Sequence, residues 1–367
     1  MKKNRIRVAI LFGGRSAEHE VSLRSAQNVI EAIDSDQYET VLIGIDRKGG
    51  WFLNENSIDL LHSDNPQLIS LNQSNIAVSL VPGAETGRLI DSQNSTSIAS
   101  IDVLFPVLHG PYGEDGSVQG LAKLANVPCV GSDILGSAIG MDKDVSKRLL
   151  RDAGISVASH ICVKRRDLSD ELPQQIGRGF GYPVYVKPAN MGSSVGVVKV
   201  LRAADLLPAI DIALQYDTKI LIEESITGRE IECAVLGNDD PIVSIAGEII
   251  TSDGFYSYEK KYIDDEAAKL KIPAALDPDC LARLQATAIE TFRTLETRGM
   301  ARVDMFLTND NRIYVNEINT IPGFTAISMY PKLWQASGIP YQELIDRLIR
   351  LSMEEFEEKI NLETTGH

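Results

Sequence analysis

The sequence predicts an α/β protein built from more than one domain. The chain opens with a strand, a helix and a second strand, at residues 7–12, about 20–33 and 39–45. Further along, short apolar strands flank a loop rich in Gly and Ser, and a hairpin rich in Val, Ile, Phe and Tyr occupies residues 301–319. A chain of 367 residues has room for two or three domains with cores of their own.

The βαβ opening is typical of an α/β domain. The other predicted parts of this first domain are a strand at 103–108, a Gly-rich loop at 110–116, a helix from about Ser117 and the apolar segment 127–130. The segment 49–100, with a polar, loop-like stretch at 91–97, has no assignment. A helix at 142–153 leads into the next domain, and an amphipathic helix at 341–360 closes the chain.

Composition and charge exclude some classes of partner. The net charge is −15, and no stretch rich in Lys and Arg stands out, which argues against nucleic acid or an anionic membrane as partner. Four scattered cysteines lack metal-binding spacing, so reduced thiols in a cytoplasmic protein are expected. The first apolar run is too short for a signal peptide and fits a first strand. No stretch approaches transmembrane length.

The hairpin at 301–319 carries polar side chains that converge. Its two apolar runs flank a turn at 309–311, and side chains alternate across each strand. If Leu307 pairs with Arg312, Arg302 lies opposite Glu317 and the polar side chains of both strands point to one side. The hairpin therefore predicts a polar cluster on one face of a sheet.

That cluster contains two carboxylates and one amide, at Asp304, Glu317 and Asn319. Mg²⁺ prefers such oxygen ligands and usually binds them together with substrate phosphates. The alternative is a solvated hairpin face, on which an Arg302–Glu317 ion pair adds little stability. The Pro and Gly within residues 320–325 favour the metal site, because such a loop brings backbone N–H groups close to a ligand.

The Gly/Ser loop is a second candidate for phosphate binding. It lies at residues 189–196, between predicted strands at 182–188 and 197–200, and its backbone N–H groups and hydroxyls could fold over a polyphosphate. Lys187, at the end of the first strand, would supply a positive charge. A flexible turn is the alternative. The loop does not match the P-loop pattern.

A third segment, residues 220–232, is either a connector between two strands or a hinge. A buried strand is predicted to end at Glu223 and Glu224, and Gly228 and Glu230 follow. In the hinge interpretation, backbone groups bind a nucleotide base and a carboxylate binds ribose hydroxyls.

These three segments, in this order and spacing, resemble the ATP-grasp superfamily, and six motifs narrow the resemblance to the D-alanine–D-alanine ligase family. The motifs lie at residues 12–23, 108–120, 141–143, 187–188 with 192–196, 255–262 and 316–323. The resemblance spans about residues 5–350. It implies an N-terminal Rossmann-like βαβ domain (1–137), a small central domain (138–228) and a C-terminal domain (229–367), with ATP between the last two.

The resemblance also implies the residues of the nucleotide site. ATP would be held by Lys143, Lys187, Ser193, Ser194 and Val195 on its phosphates, by Glu223, Glu224 and Ile226 around adenine, by Glu230 on the ribose, and by Lys261, Asn316 and Glu317. Two Mg²⁺ or Mn²⁺ ions would bind Asp304, Glu317 and Asn319. ATP would convert the carboxylate of a first D-alanine into an acylphosphate, which the amine of a second D-alanine attacks. The product, D-alanyl-D-alanine, supplies peptidoglycan synthesis, and a homodimer is expected.

The amino-acid site follows from the same resemblance. Glu18 would bind the ammonium of the first D-alanine with His109 nearby, Arg302 and the Gly323 N–H would stabilise the oxyanion, and Lys261 and Ser328 would bind the second carboxylate. Tyr262, on a lid at 251–270, would link to Ser193 and Glu18 and favour D-alanine over D-lactate. His109 has an alternative role as a core histidine bonded to backbone. Without the resemblance, Tyr256, Tyr258 and Tyr262 could equally be packing aromatics.

Two other functions stay open at this point. One is a ligase that joins D-alanine to D-lactate or D-serine, against which Tyr262 argues. The other is an inactive ATP-binding regulator, which predicts loss of metal ligands or of Arg302, although all of these residues are present. The sequence departs mildly from the family pattern at residues 190–191 and 320–322, and neither change removes a key group.

Overall fold

A parallel sheet organises the first third of the chain. In the computed structural model, which describes residues 5–54, 76–84, 87–251 and 268–363, this region comprises β1 (Ile6–Gly13), α1 (His19–Ala32), β2 (Tyr38–Ile45), β3 (Trp51–Asn54), β4 (Val78–Leu80), β5 (Gly87–Asp91), β6 (Ser97–Ile101), β7 (Val103–Val107) and α2 (Ser117–Leu124). The sheet has the order β3-β2-β1-β7, with β1 parallel to both β2 and β7. The βαβ opening is therefore present as predicted.

The unassigned segment 49–100 contributes strands of its own. Within the described residues, β3 joins the edge of the parallel sheet, and β4, β5 and β6 form a separate antiparallel sheet. The apolar segment 127–130 makes a single bridge, between Leu104 and Cys129. Both regions pack on the face of the parallel sheet that includes Leu11 and Ile43.

An antiparallel sheet forms the middle of the chain. Its elements are α3 (Ile134–Met141), α4 (Lys143–Asp152), β8 (His160–Lys164), α5 (Leu172–Gly179), β9 (Val184–Pro188), β10 (Val198–Val200), α6 (Leu206–Ala213) and β11 (Lys219–Glu224). The strand order is β10-β9-β11-β8. Helices α5 and α6 bury their apolar faces against this sheet, as Ile176 and Ile210 show. The Gly/Ser loop connects β9 to β10.

A larger antiparallel sheet forms the last part. Its elements are β12 (Arg229–Gly237), β13 (Ile242–Thr251), β14 (Ala268–Lys271), α7 (Pro278–Thr294), β15 (Gly299–Leu307), β16 (Ile313–Asn319), α8 (Met329–Ala336) and α9 (Tyr341–Ile360). The order is β14-β13-β12-β15-β16, so the predicted hairpin forms one edge. Helix α7 covers one face, where Leu284 and Phe292 pack with Ile231 and Val303. Most of the predicted lid, 252–267, lies outside the described residues.

The last helix packs on the first sheet. Leu348 and Ile349 of α9 lie in one buried cluster with Val8 and Ile10 of β1. The Tyr38 hydroxyl donates a hydrogen bond of 2.6 Å to Asp346 of α9. The two ends of the chain thus share a core, which fixes the N-terminal sheet beside the hairpin sheet.

Candidate active site

The hairpin register differs from the one predicted. Leu307 pairs with Ile313, not with Arg312, and Arg302 does not lie opposite Glu317. The turn at 309–311 places Thr308 opposite Arg312, as the hydrogen bond of 2.9 Å from the Thr308 N–H to the Arg312 carbonyl shows, so the predicted pairing is off by one residue at the turn. A register shift between Asp304 and Met305 then displaces the pairs beyond it by one more residue.

The shift is a bulge that adds Asn316 to β16. Beyond it, Asp304 pairs with Glu317, and Arg302 pairs with Asn319. Bulges change the direction in which side chains point, and they are frequent next to active sites. Because period-two alternation persists on either side of the bulge, the four polar side chains still share one face.

Arg302 is clamped by two carboxylates. Its Nε and Nη2 donate to the two Asp304 oxygens, each at 2.7 Å, and its Nε lies 3.0 Å from Oε2 of Glu232 on the neighbouring strand β12. Burial acts to lower the pKa of Arg302, but Asp304 and Glu232 outweigh it and raise the pKa well above its usual value. The guanidinium is therefore permanently charged and fixed in direction.

The carboxylates of the hairpin suit a divalent cation. Asp304 accepts a hydrogen bond of 3.0 Å from the Asn319 amide, and Glu317 lies 3.3 Å from Lys143 Nζ. The set offers two carboxylates and one amide oxygen, the hard donors that Mg²⁺ prefers. Arg302 and Lys143 lie beside these carboxylates and offset part of their negative charge.

A cavity of about 320 Å³ lies between the central and C-terminal sheets. Its lining includes nine predicted nucleotide residues: Lys143, Lys187, Ser194, Glu223, Glu224, Ile226, Glu230, Asn316 and Glu317. Lys143 donates to the Met191 carbonyl at 2.7 Å, and Lys187 donates to the Asn316 amide oxygen at 3.2 Å. Two ammonium groups thus line the cavity beside Asn316 and Glu317, where they could bind a polyphosphate.

Glu223, which lines this cavity, forms two buried ion pairs. Its carboxylate is buried between two ammonium groups, with Lys187 on one oxygen and Lys147 Nζ 2.9 Å from the other. Burial alone would raise the pKa of Glu223, but Lys147 and Lys187 lower it to about 2. A fixed anion therefore lies beside the predicted adenine residues.

The Gly/Ser loop reaches across to the N-terminal domain. Ser193 Oγ donates a hydrogen bond to a carboxylate oxygen of Glu18. Ser193 and Ser194 both have positive φ, 49° and 58°, a conformation that non-glycine residues adopt rarely and that clusters at ligand-binding sites. Val195 lies in the same turn, where its N–H donates to the Gly192 carbonyl at 3.1 Å.

A second cavity, of about 120 Å³, adjoins the first. Its lining includes the predicted amino-acid residues Glu18, His109, Ser193, Arg302, Gly323 and Ser328. Glu317 lines both cavities. Ser328 Oγ accepts the Thr325 N–H at 3.0 Å, and a Cβ on Gly323 would lie 2.7 Å from that hydroxyl oxygen, so a side chain at position 323 would displace it.

Hydrogen bonds from the N-terminal domain hold the backbone loop 321–324. His109 Nδ1 donates to the Ile321 carbonyl at 3.1 Å, so its Nε2 can accept from the Ser25 hydroxyl 3.3 Å away. Ser25 in turn accepts the Phe324 N–H at 3.2 Å. Burial lowers the pKa of His109, which keeps the ring neutral for this arrangement. The backbone-bonded role weighed for His109 therefore coexists with its place in the cavity lining.

The Glu114 carboxylate also binds the backbone of this loop. Its two carboxylate oxygens accept the Gly110 N–H at 2.6 Å and the Ile321 N–H at 3.2 Å. Burial raises the pKa of Glu114 to about 8, with a further contribution from Glu18. The loop that carries Gly323 is thus held by hydrogen bonds from His109 and Glu114.

Comparisons with known proteins agree with this geometry. The family model described as D-ala D-ala ligase N-terminus matches residues 7–132, and that described as D-ala D-ala ligase C-terminus matches residues 149–350. A D-alanine–D-alanine ligase of Shouchella clausii is 53% identical to this chain, over 98% of each. The chain belongs to the D-alanine–D-alanine ligase family. This family makes D-alanyl-D-alanine for peptidoglycan synthesis, and the predicted ligase class is confirmed.

Solved structures confirm the predicted α/β fold of this ligase family. The D-alanine–D-alanine ligase from Coxiella burnetii has a TM-score of 0.87 and 35% identity, and the match covers 98% of this chain and 97% of that one. The VanG D-Ala:D-Ser ligase from Enterococcus faecalis has a TM-score of 0.85 and 37% identity, covering 95% and 100%. The same fold therefore serves two different second substrates.

Three charged residues of this ligase site were not singled out in the sequence. They are Glu114, Lys147 and Glu232, all buried. Lys147 follows Lys143 by four residues, a spacing that places both on one helix face. Glu232 interrupts an apolar strand, which is a signal for a paired buried charge. Two predicted residues, Lys261 and Tyr262, lie outside the described part of the chain.

Among the described residues of this family member, no helix combines the length and apolar character that crossing a bilayer requires.

The raised pKa of Glu114 predicts how stability depends on pH. An ordinary carboxyl titrates near 4.5, whereas Glu114 in the folded chain titrates near 8, so the folded state holds one more proton between these values. Stability should therefore fall as pH rises from about 4.5 to about 8, by up to about 1.4 kcal/mol per pH unit. We predict that Glu114→Gln reduces this slope in urea unfolding. The matched change Glu343→Gln, at an exposed carboxylate of α9, should leave the slope unchanged.

Proposed function

We propose that this chain joins two D-alanines, using ATP and releasing ADP and phosphate, through a D-alanyl phosphate. One observation carries the proposal: Glu317 lines both the larger and the smaller cavity, so a polyphosphate in one and an amino acid in the other would meet there. Membership of an ATP-dependent ligase family supports it.

In the first step, a carboxylate oxygen of the first D-alanine attacks the γ-phosphorus of ATP, and ADP leaves. A free carboxylate is a poor acyl donor, and phosphate is a good leaving group. Lys143 and Lys187 offset the negative charge of the phosphates, while Ser193, Ser194 and Val195 supply loop donors. Glu18 binds the ammonium of the amino acid, and its hydrogen bond from Ser193 ties substrate binding to the phosphate loop.

In the second step, the amine of the second D-alanine attacks the acylphosphate carbonyl, and phosphate leaves. Arg302 and the Gly323 N–H stabilise the oxyanion that develops on that carbonyl. The clamp of Asp304 and Glu232 on Arg302, and the anchoring of loop 321–324, support this assignment because oxyanion donors act best when preorganised. Ser328 and Lys261 bind the second carboxylate.

We also assign Asp304, Glu317 and Asn319 as ligands of two Mg²⁺ or Mn²⁺ ions. Such ions neutralise phosphate charge during in-line transfer. The hard oxygen character of the three side chains supports the assignment. Glu223, Glu224, Ile226 and Glu230 are proposed to frame the adenine and ribose, with Asn316 beside them.

A second candidate is a ligase that accepts D-serine or D-lactate in the second position. The likeness to the VanG D-Ala:D-Ser ligase favours testing it. The experiment measures phosphate release from Mg·ATP with D-alanine, L-alanine, and D-alanine plus D-serine or D-lactate, with products identified by mass. Release with D-alanine alone and formation of its dipeptide supports the proposal. If the main product joins D-alanine to D-serine or D-lactate, the second candidate is supported. If the chain binds ATP without turnover, the inactive ATP-binding regulator is supported.

Tyr262 provides a specificity prediction. If it links to Ser193 and Glu18 as in the family, Tyr262→Phe should raise the ratio of depsipeptide to dipeptide when D-lactate competes with D-alanine. The effect should grow at lower pH, where the amine nucleophile is protonated. Product ratios by mass spectrometry test this, with Tyr256→Phe from the same segment as control. Equal ratios of depsipeptide to dipeptide in wild type and Tyr262→Phe would contradict this role of Tyr262.

The remaining expectations are proposals of the same kind. We propose three domains at 1–137, 138–228 and 229–367, with residues 251–270 as a lid that excludes water from the acylphosphate. A cytoplasmic homodimer with small-molecule substrates, and with neither nucleic acid nor membrane as partner, follows from the family resemblance and the charge of −15. Light scattering after gel filtration tests the dimer.

A further inference from the structure

Helix α4 presents two lysines, one turn apart, toward the nucleotide cavity. Lys143 lines the cavity, whereas the Lys147 side chain is 1% exposed and lies behind Glu223. Lys147 Nζ and Glu223 Oε1 are 2.9 Å apart, and within the described residues neither atom makes a hydrogen bond of good geometry. The interaction is therefore a buried charge pair.

Stability does not explain a lysine at this position. Removing an ammonium group from water is costly, and a buried ion pair is often no more stable than apolar residues of similar volume. Burial lowers the pKa of Lys147, and the nearby Lys187 acts in the same direction, while Glu223 opposes both. The Glu223 carboxylate, which lies 2.9 Å from Lys147 Nζ and whose own pKa is lowered to about 2, favours the ammonium form of Lys147.

The charge balance around Glu223 gives Lys147 a role. Glu223 is also paired with Lys187, which lines the cavity. With one carboxylate between two ammonium groups, the trio carries a net positive charge. Without Lys147, Glu223 would neutralise Lys187, and this end of the cavity would lose one unit of positive charge.

We propose that Lys147 is a positioning residue for the nucleotide: by pairing with Glu223, it leaves the charge of Lys187 available to the phosphates. The inference rests on the proposed use of ATP and deepens it. Lys147 itself contacts no phosphate and acts through Glu223. Its effect on nucleotide affinity should grow with the number of phosphates on the ligand.

The test compares the affinities of ATP, ADP and AMP by calorimetry for wild type and Lys147→Met, which removes the charge at similar volume. We expect ATP affinity to fall by about tenfold or more and AMP affinity to fall less, because the lost charge acts over a distance on each phosphate. Leu150→Ala is the matched control, since it destabilises the same helix from a buried apolar position without changing charge. Its ratio of ATP to AMP affinity should equal that of wild type.

Glu223→Gln, alone and combined with Lys147→Met, tests whether Lys147 acts through Glu223. Glu223→Gln should raise the ratio of ATP to AMP affinity above wild type, and adding Lys147→Met should lower it again toward wild type, because the two lost charges cancel. This pair of variants decides the matter even if Lys147→Met alone does not fold. Equal losses for all three nucleotides, or unchanged ratios with only a lower melting temperature, would overturn the inference. A wild-type chain that binds no nucleotide would instead overturn the proposed function.

Discussion

Glu317→Gln is expected to lower D-alanine-dependent phosphate release by about 10³-fold or more while leaving the fold intact. Glu317 lines both cavities, and in the proposed mechanism its charge holds a cation between the phosphates and the amino acid. Glutamine keeps the shape of the side chain but offers a neutral, weaker ligand. Steady-state phosphate release, together with circular dichroism and urea unfolding, measures the two effects separately.

Asp310→Asn is the control for this experiment. Asp310 is an exposed carboxylate in the turn of the same hairpin, where it pairs with Arg312. Its removal changes the net charge by the same amount and should leave turnover near that of wild type. Near-normal turnover in Glu317→Gln would contradict the metal assignment.

Arg302→Lys is expected to lower kcat by about 10²- to 10³-fold, as loss of an oxyanion donor does in other acyl-transfer enzymes. Lysine keeps a positive charge beside Asp304 and Glu232 but lacks the planar fork that both carboxylates orient. The fold should therefore survive while catalysis suffers. Turnover and urea unfolding of the same preparation measure both quantities.

Arg302→Met removes the positive charge that Arg302→Lys keeps, so the two variants distinguish the effect of the charge from that of the guanidinium geometry. It would leave Asp304 and Glu232 buried without their shared cation, which we expect to cost about 3–5 kcal/mol of unfolding free energy. Arg312→Lys, at an exposed arginine on the same hairpin, should change neither turnover nor stability. If Arg302→Lys turned over at the wild-type rate, Arg302 would have no role as oxyanion donor.

The hairpin shows which features of the site can be predicted from the sequence. Alternation along a strand depends only on local geometry, so the shared face of Arg302, Asp304, Glu317 and Asn319 was predictable. The bulge at Asn316 was not, because a ladder with one extra residue differs from a regular one only through pairing and packing. The predicted register was wrong by one residue at the turn, where Thr308 rather than Leu307 lies opposite Arg312, and by one more beyond the bulge. The convergence of the four side chains was nevertheless right.

Other residues of the site were not predicted because their roles depend on contacts between segments that are distant in the sequence. Lys147 and Glu223 lie on separate elements, and the pairing of Lys147 depends on how α4 packs against the central sheet. Glu114 contacts Ile321 across more than half of the chain. Strands β4 to β6 were missed because their short runs lie within a polar segment that lacks a clear period. The closing helix was predicted with the bounds observed, since its amphipathic pattern is long and local.

The packing of α9 on the first sheet has a consequence for the newborn chain on the ribosome. Val8 and Ile10 leave the exit tunnel long before Leu348 and Ile349, which cover them. The apolar face of the first sheet therefore stays uncovered until α9 has been synthesised. Surface exposed in this way promotes aggregation. We expect translation that stops before residue 341 to leave chains that require a chaperone, even though every strand of the first sheet has been made.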